Sequence, residues 1–118
     1  MERHLKDTIV DEVVREIYEA YPSLWERFGD NGHQRTVEDN HHHLDHLETA
    51  FLMDDSRFFM DYTIWLNEIL TSRNVGTELI IDNFERLQKH IPGKLDSLRE
   101  HSYLQYLQLS LHSLQNFK

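Results

Sequence analysis

The run Phe58-Phe59-Met60-Asp61-Tyr62-Thr63-Ile64-Trp65-Leu66-Asn67-Glu68-Ile69-Leu70 decides the fold class. Its large apolar side chains (Phe58, Phe59, Tyr62, Trp65, Leu66, Ile69 and Leu70) recur three and four residues apart, the period of a helix with one buried face. Asp61, Asn67, Glu68 and Thr71 fall on the opposite side. Asp54-Asp55-Ser56, just upstream, offers side chains that cap a helix N-terminus. No stretch of the chain alternates cleanly at the two-residue period of a strand.

The same period extends outward in both directions. Upstream, Ile9, Val10, Val13, Val14, Ile17, Ala20 and Tyr21 share a face. Pro22 suits a helix start and opens a short segment carrying Leu24, Trp25 and Phe28. Gly29-Asp30-Asn31-Gly32 reads as a turn. A third helix follows, with Thr36 as N-cap and Glu38 and Asp39 in the first turn, where the helix dipole favours acids. Its apolar face is Val37, Leu44, Leu47, Phe51 and Leu52. Downstream, Asn74-Val75-Gly76 breaks the chain before a helix that buries Ile80, Ile81, Phe84, Leu87 and Ile91. Pro92-Gly93 precedes a last helix from about Lys94 to Phe117. The pattern predicts one all-α domain over 1–118, a five- or six-helix bundle with a long C-terminal helix.

Composition agrees. At 118 residues and 39% hydrophobic, the chain can bury a core without staples. It has no cysteine, so disulfides, thiolate nucleophiles and thiolate zinc sites are excluded. The N-terminal Met1-Glu2-Arg3-His4-Leu5-Lys6-Asp7 lacks the apolar core of a signal peptide, and a cytoplasmic location is expected. Twelve Lys and Arg stand against 21 Asp and Glu, a net charge of -9. Nucleic acid and anionic membrane surfaces both attract basic patches, so neither is an expected partner.

The last helix is apolar on two sides. Leu95, Leu98, Tyr106, Leu109 and Phe117 fall on one, and Tyr103, Leu104, Leu107, Leu111 and Leu114 on another. Such a helix must be covered twice. Either it is central within one chain, or the second set faces a partner protein or a second copy in a homodimer.

Four histidines lie within Glu38-Asp39-Asn40-His41-His42-His43-Leu44-Asp45-His46. On the wheel set by Val37, Leu44 and Phe51, His41 and Glu48 point inward with Asn40 on the flank, and His42, His43 and His46 point outward. His42 and His46, one turn apart, have the spacing to chelate a divalent metal such as zinc or iron, assisted by Glu38, Asp39 or Asp45. The alternative is a solvated histidine-rich face. Glu38 and His41 have the Glu-x-x-His spacing of di-iron bundles, but the second such pair is missing. His101 and His112 fall on a polar side of the last helix. The inward set of Asn40, His41 and Glu48 is either a hydrogen-bonded core network or, with Trp65, the lining of a ligand pocket.

No catalytic motif emerges: no Gly-rich phosphate loop, no Gly-x-Ser-x-Gly, no His-Glu-x-x-His. Haem ligation by His90 would leave little chain to complete a pocket. Trp25-Glu26-Arg27-Phe28-Gly29, His43-Leu44-Asp45-His46-Leu47-Glu48, Phe59-Met60-Asp61-Tyr62-Thr63-Ile64-Trp65-Leu66 and Ser72-Arg73 together resemble helical sensory domains of bacterial signalling and stress-response regulators. Some of these are globin-like without haem. The resemblance spans about Tyr21 to Ile91 and implies a non-enzymatic regulatory or input domain working through a helix-mediated dimer. Residues 1–118 include neither the output module expected of such regulators nor a cobalamin-type histidine motif. A metal-binding bundle and a ligand-binding pocket stand as the alternatives.

Overall fold

The computed structural model describes residues 2–117, with only the backbone of Phe117. The expected place of the Phe117 side chain on the last helix therefore lies outside the described residues. Five helices pack around one contiguous core, and the described residues contain no strand.

Helix α1 (Arg3–Ala20) starts where the Glu2 carboxylate accepts the His4 amide. It buries Ile9, Val10, Val13, Val14, Ile17 and Tyr18, while Ala20 is exposed and Tyr21 half-buried. Helix α2 (Ser23–Met53) joins two segments that the sequence separates. The expected four-residue turn shrinks to Gly29 alone, at φ 62° and ψ -159°, a conformation that glycine adopts without a Cβ penalty. The chain is helical again from Asp30, so Thr36 is no N-cap. Its hydroxyl instead bonds back to the Gly32 carbonyl at 2.9 Å. A left-handed Asp54 ends α2.

Helix α3 (Arg57–Ser72) is introduced by Asp55, which accepts the Arg57 amide at 2.9 Å and pairs with its guanidinium. Its buried stripe is Phe59, Tyr62, Thr63, Leu66 and Asn67. Phe58 and Trp65, expected inside, are 41% and 55% exposed, and Asn67, expected outside, is buried. Hydrogen bonds drive this rotation. The Thr77 hydroxyl donates to Asn67 Oδ1 at 2.7 Å, and Thr63 donates to Ser110 at 3.1 Å. Helix α4 (Thr77–His90) follows a left-handed Asn74. Helix α5 (Ser97–Leu114) begins three residues later than expected, because Asp96 caps it by accepting the Arg99 amide at 3.1 Å. A 3-10 turn, Gln115–Phe117, ends the described chain.

Helix α1 packs on α2 and α4, and α5 lies against α2, α3 and α4. That placement decides between the two accounts of α5. Tyr103, Leu107, Leu111 and Leu114 are buried within the chain's own core, and Leu104 is half-buried against it. They are not an exposed interface, because three helices already cover them. Of the other side, Tyr106 is buried, Leu95 is half-buried, and Leu98 and Leu109 stay 73% and 43% exposed.

Truncating Leu107 to Ala should destabilise the fold by about 2–5 kcal/mol, the range for an aliphatic residue lost from a rigid core. Urea unfolding measures this. An unchanged midpoint would show that α5 is not seated as described.

Candidate functional site

A buried polar ladder crosses the bundle. Asn40 on α2 donates to Asn83 Oδ1 at 3.1 Å, and Asn83 on α4 donates back to Asn40 Oδ1 at 2.7 Å. Asn40 also donates to the Thr36 carbonyl at 3.0 Å. One turn on, His43 Nδ1 lies 2.6 Å from the Tyr62 hydroxyl of α3. Burial holds the imidazole neutral, pushing its pKa down to about 3 against a hydrogen bond with Asn83 that raises it. Burial likewise raises the Tyr62 phenol, so Tyr62 stays a neutral partner.

Beside this ladder lies a cavity of about 170 Å³, bounded by α1, α2, α3 and α4. His43 and Asn83 form its buried end. Its walls are apolar: Ile17 and Tyr18 from α1, Leu66 and Leu70 from α3, Leu79 and Ile80 from α4. The short arm of α2 before the Gly29 kink adds Leu24 and Phe28. A ring cluster fixes that arm to α1. Trp25 stacks on His33 at 4.7 Å, and Tyr18 meets Trp25 edge-on at 4.7 Å. Gly32 permits the close passage, since a Cβ there would lie 2.2 Å from Phe28 Cβ. At the mouth stand Arg35, Asp39 and Arg73. Burial raises the Asp39 carboxyl above the ordinary range, and His42, Arg35 and Arg73 offset this in part.

The structure divides the residues singled out in the sequence. Asn40 is in the ladder. His41 lies on the other flank, half-buried, 3.7 Å from Asp7. Glu48 pairs with Arg99 at 2.9 Å and accepts the Tyr103 hydroxyl at 2.5 Å. Arg99 is the main reason its carboxyl falls to about 2. His41, Asp45 and Glu48 do share a groove with Arg3, Lys6 and Asp7. Within that groove Lys6 holds Asp45 at 2.6 Å, and Glu48 is taken up by Arg99. Trp65, on the outer side of α3, belongs to neither place.

The histidine orientation is a correction. His43 was expected outside and is buried, while His41 was expected inside and is partly exposed. Asn40, His43, Leu44, Leu47 and Ala50 form the buried face of α2, while Val37 and Phe51 are only partly buried at its edge. His46 is half-covered and stacks on Tyr62 at 3.8 Å; His42 is exposed. Glu38 is exposed and accepts from Gln34 at 3.5 Å. The set Glu38, His42, Asp45 and His46 does not converge: among the described residues no three His, Asp or Glu side chains are placed to hold a metal ion. His90 is enclosed by Glu12, 2.8 Å from Nδ1, and Glu16, 2.9 Å from Nε2 though not aligned for an N–H bond. Among the described residues no helix is long and apolar enough to cross a membrane.

Neither the family models, the curated proteins nor the solved structures contain a match to this chain.

Two stability experiments follow from this chemistry. Asn83→Ala leaves Asn40 without its buried partner and should cost about 1–3 kcal/mol in urea unfolding; a neutral effect would break the ladder assignment. The depressed His43 pKa works in the same sense as a depressed carboxyl. Its contribution is complete above the ordinary value of 6.5 and is lost as pH falls toward about 3. Glu48, ordinarily near 4.5 and held at about 2, acts only lower down. The fall in melting temperature between pH 6.5 and 4.5 should therefore flatten in His43→Gln and persist in Glu48→Gln.

Proposed function

We propose that this chain is a non-enzymatic sensory or regulatory domain of the cytoplasm that takes a small molecule into the cavity between α1, α2, α3 and α4. One observation carries the reading. The cavity pairs an apolar interior with a few polar groups at its two ends, the usual composition of a ligand site. The groove around His41 and Glu48 is wider, but it is lined by charged side chains, with Lys6 already on Asp45 and Glu48 on Arg99. Apolar lining, more than width, favours the smaller space.

The resemblance to helical sensory domains supports the same reading, with the signal entering as a ligand between helices. The kinked arm supplies a means of response. Leu24 and Phe28 belong to it and wall the cavity, so an occupant would bear on the angle between the arm, α1 and the rest of α2. The partner-binding part of the reading moves away from α5. Phe58, Ile64 and Trp65 remain exposed on α3 and are the surface we assign to a partner protein or a second copy.

Thermal unfolding in the presence of benzene or indole tests the cavity. At a concentration about 100 times its Kd, an occupant adds about 2.7 kcal/mol to the native state. A raised melting temperature is expected for the native chain, and none for Leu70→Trp, in which an indole fills the space. Equal shifts in both proteins would place the binding elsewhere.

A further inference from the structure

Arg35 and Asp39 stand one turn apart on α2, and Arg73 closes the C-terminus of α3. Among the described residues, none of these three side chains makes a hydrogen bond or an ion pair within 4.0 Å. Most other cations among the described residues are paired, although Arg3 and Arg27 make no ion pair. Arg57, Arg86, Arg99, Lys6, Lys89 and Lys94 each hold a carboxylate. Acids outnumber bases 21 to 12, so partners for the two arginines are not scarce. The mouth thus carries two cations and one anion with nothing bonded to them, at the end of an apolar cavity.

The charge set restricts what can cover it. A simple carboxylate would meet both guanidinium groups and so compete with Asp39 for the cations that now offset its burial, while burying it further. Asp39 is already half-buried, and burial already disfavours its charge. A simple amine would satisfy Asp39 and confront two arginines. An uncharged apolar molecule would desolvate all three groups without return. A head group with one carboxylate and one ammonium pairs every charge at the mouth. Behind it, Leu66, Leu70, Val75, Leu79 and Ile80 provide aliphatic walls. The cavity's 170 Å³ compares with the roughly 150 Å³ that accommodates benzene, which suits a branched aliphatic or phenyl group.

We propose that the cavity binds an apolar α-amino acid, its carboxylate between Arg35 and Arg73, its ammonium on Asp39 and its side chain among the aliphatic walls. This rests on the cavity being a ligand site, and it names the ligand class for that site. No covalent step is involved.

Calorimetric titration and amide NMR of the full chain test it with five probes: L-leucine, L-phenylalanine, 4-methylpentanoate, 3-methylbutylamine and benzene. The expected result is that leucine or phenylalanine binds at least roughly tenfold more tightly than the acid or the amine, the cost of leaving one covered charge unpaired. Asp39→Asn should bring leucine down to the level of 4-methylpentanoate. Arg73→Gln should weaken leucine and leave 3-methylbutylamine unaffected. Neither side chain packs in the core, so both variants should keep the native amide spectrum, which is the control. Equal affinity for leucine and either truncated analogue overturns the amino-acid assignment. So does a response to benzene with none to the charged probes, although the cavity then stands as a ligand site. If benzene too leaves the amides of Leu70 and Ile80 unmoved, the cavity reading itself falls.

Discussion

The reciprocal amide pair between Asn40 and Asn83 is the constraint on which the bundle's register depends. Both side chains are removed from water, so each must find partners inside. Only one alignment of α2 against α4 lets each amide donate to the other while Asn40 also reaches the Thr36 carbonyl. Aliphatic contacts alone tolerate a helix sliding or turning by some tens of degrees. Two facing amides do not. The pair therefore sets the rotation of α2, and that rotation turns His43 inward to Tyr62. It also brings Arg35 and Asp39, two turns and one turn before His43, to the cavity mouth.

A second set of polar contacts ties the outer helices to this frame. Glu12 and Glu16 on α1 gather His90, Lys94, Lys89 and Arg86 from α4 and the segment after it. Lys89 is the chief cause of the Glu16 carboxyl falling to about 2. Glu48 on α2 holds Arg99 on α5, whose guanidinium also lies over the Phe51 ring at 4.7 Å. Partly exposed pairs of this kind contribute little each. Their use lies in orientation, since each links two helices that the apolar core leaves free to rotate. Arg35, Asp39 and Arg73 make no such link between helices.

Much of the fold was legible in the sequence. Helical class, the breaks at 74–76 and 92–93, and the apolar faces of α1 and α4 follow from period and punctuation. Two features were not. The kink at Gly29 hides behind Gly29-Asp30-Asn31-Gly32, which has the composition of a turn but uses only its first glycine as one. The rotation of α2 and α3 was misjudged because the buried stripes contain Asn40, His43, Thr63 and Asn67. A wheel weighted by hydropathy turns such residues outward. Their partners, Asn83, Tyr62, Ser110 and Thr77, are distant in sequence, so the pairing that justifies their burial cannot be read locally.

The cavity had a local signature even so. Arg35, Asp39 and His43 recur every four residues along one side of α2, and the same side carries Gly32. That spacing places a cation, an anion and an imidazole in a line running from the mouth to the buried end. A stripe of this kind is too polar to be core and too apolar in its surroundings to be a solvated face. Reading it required knowing that His43 is buried, which the Asn40–Asn83 pair decides. The site is thus a consequence of the same interaction that sets the register. A helix rotated to satisfy two buried amides also presents a graded polar edge to an apolar gap, with the kinked arm closing the gap on its remaining side.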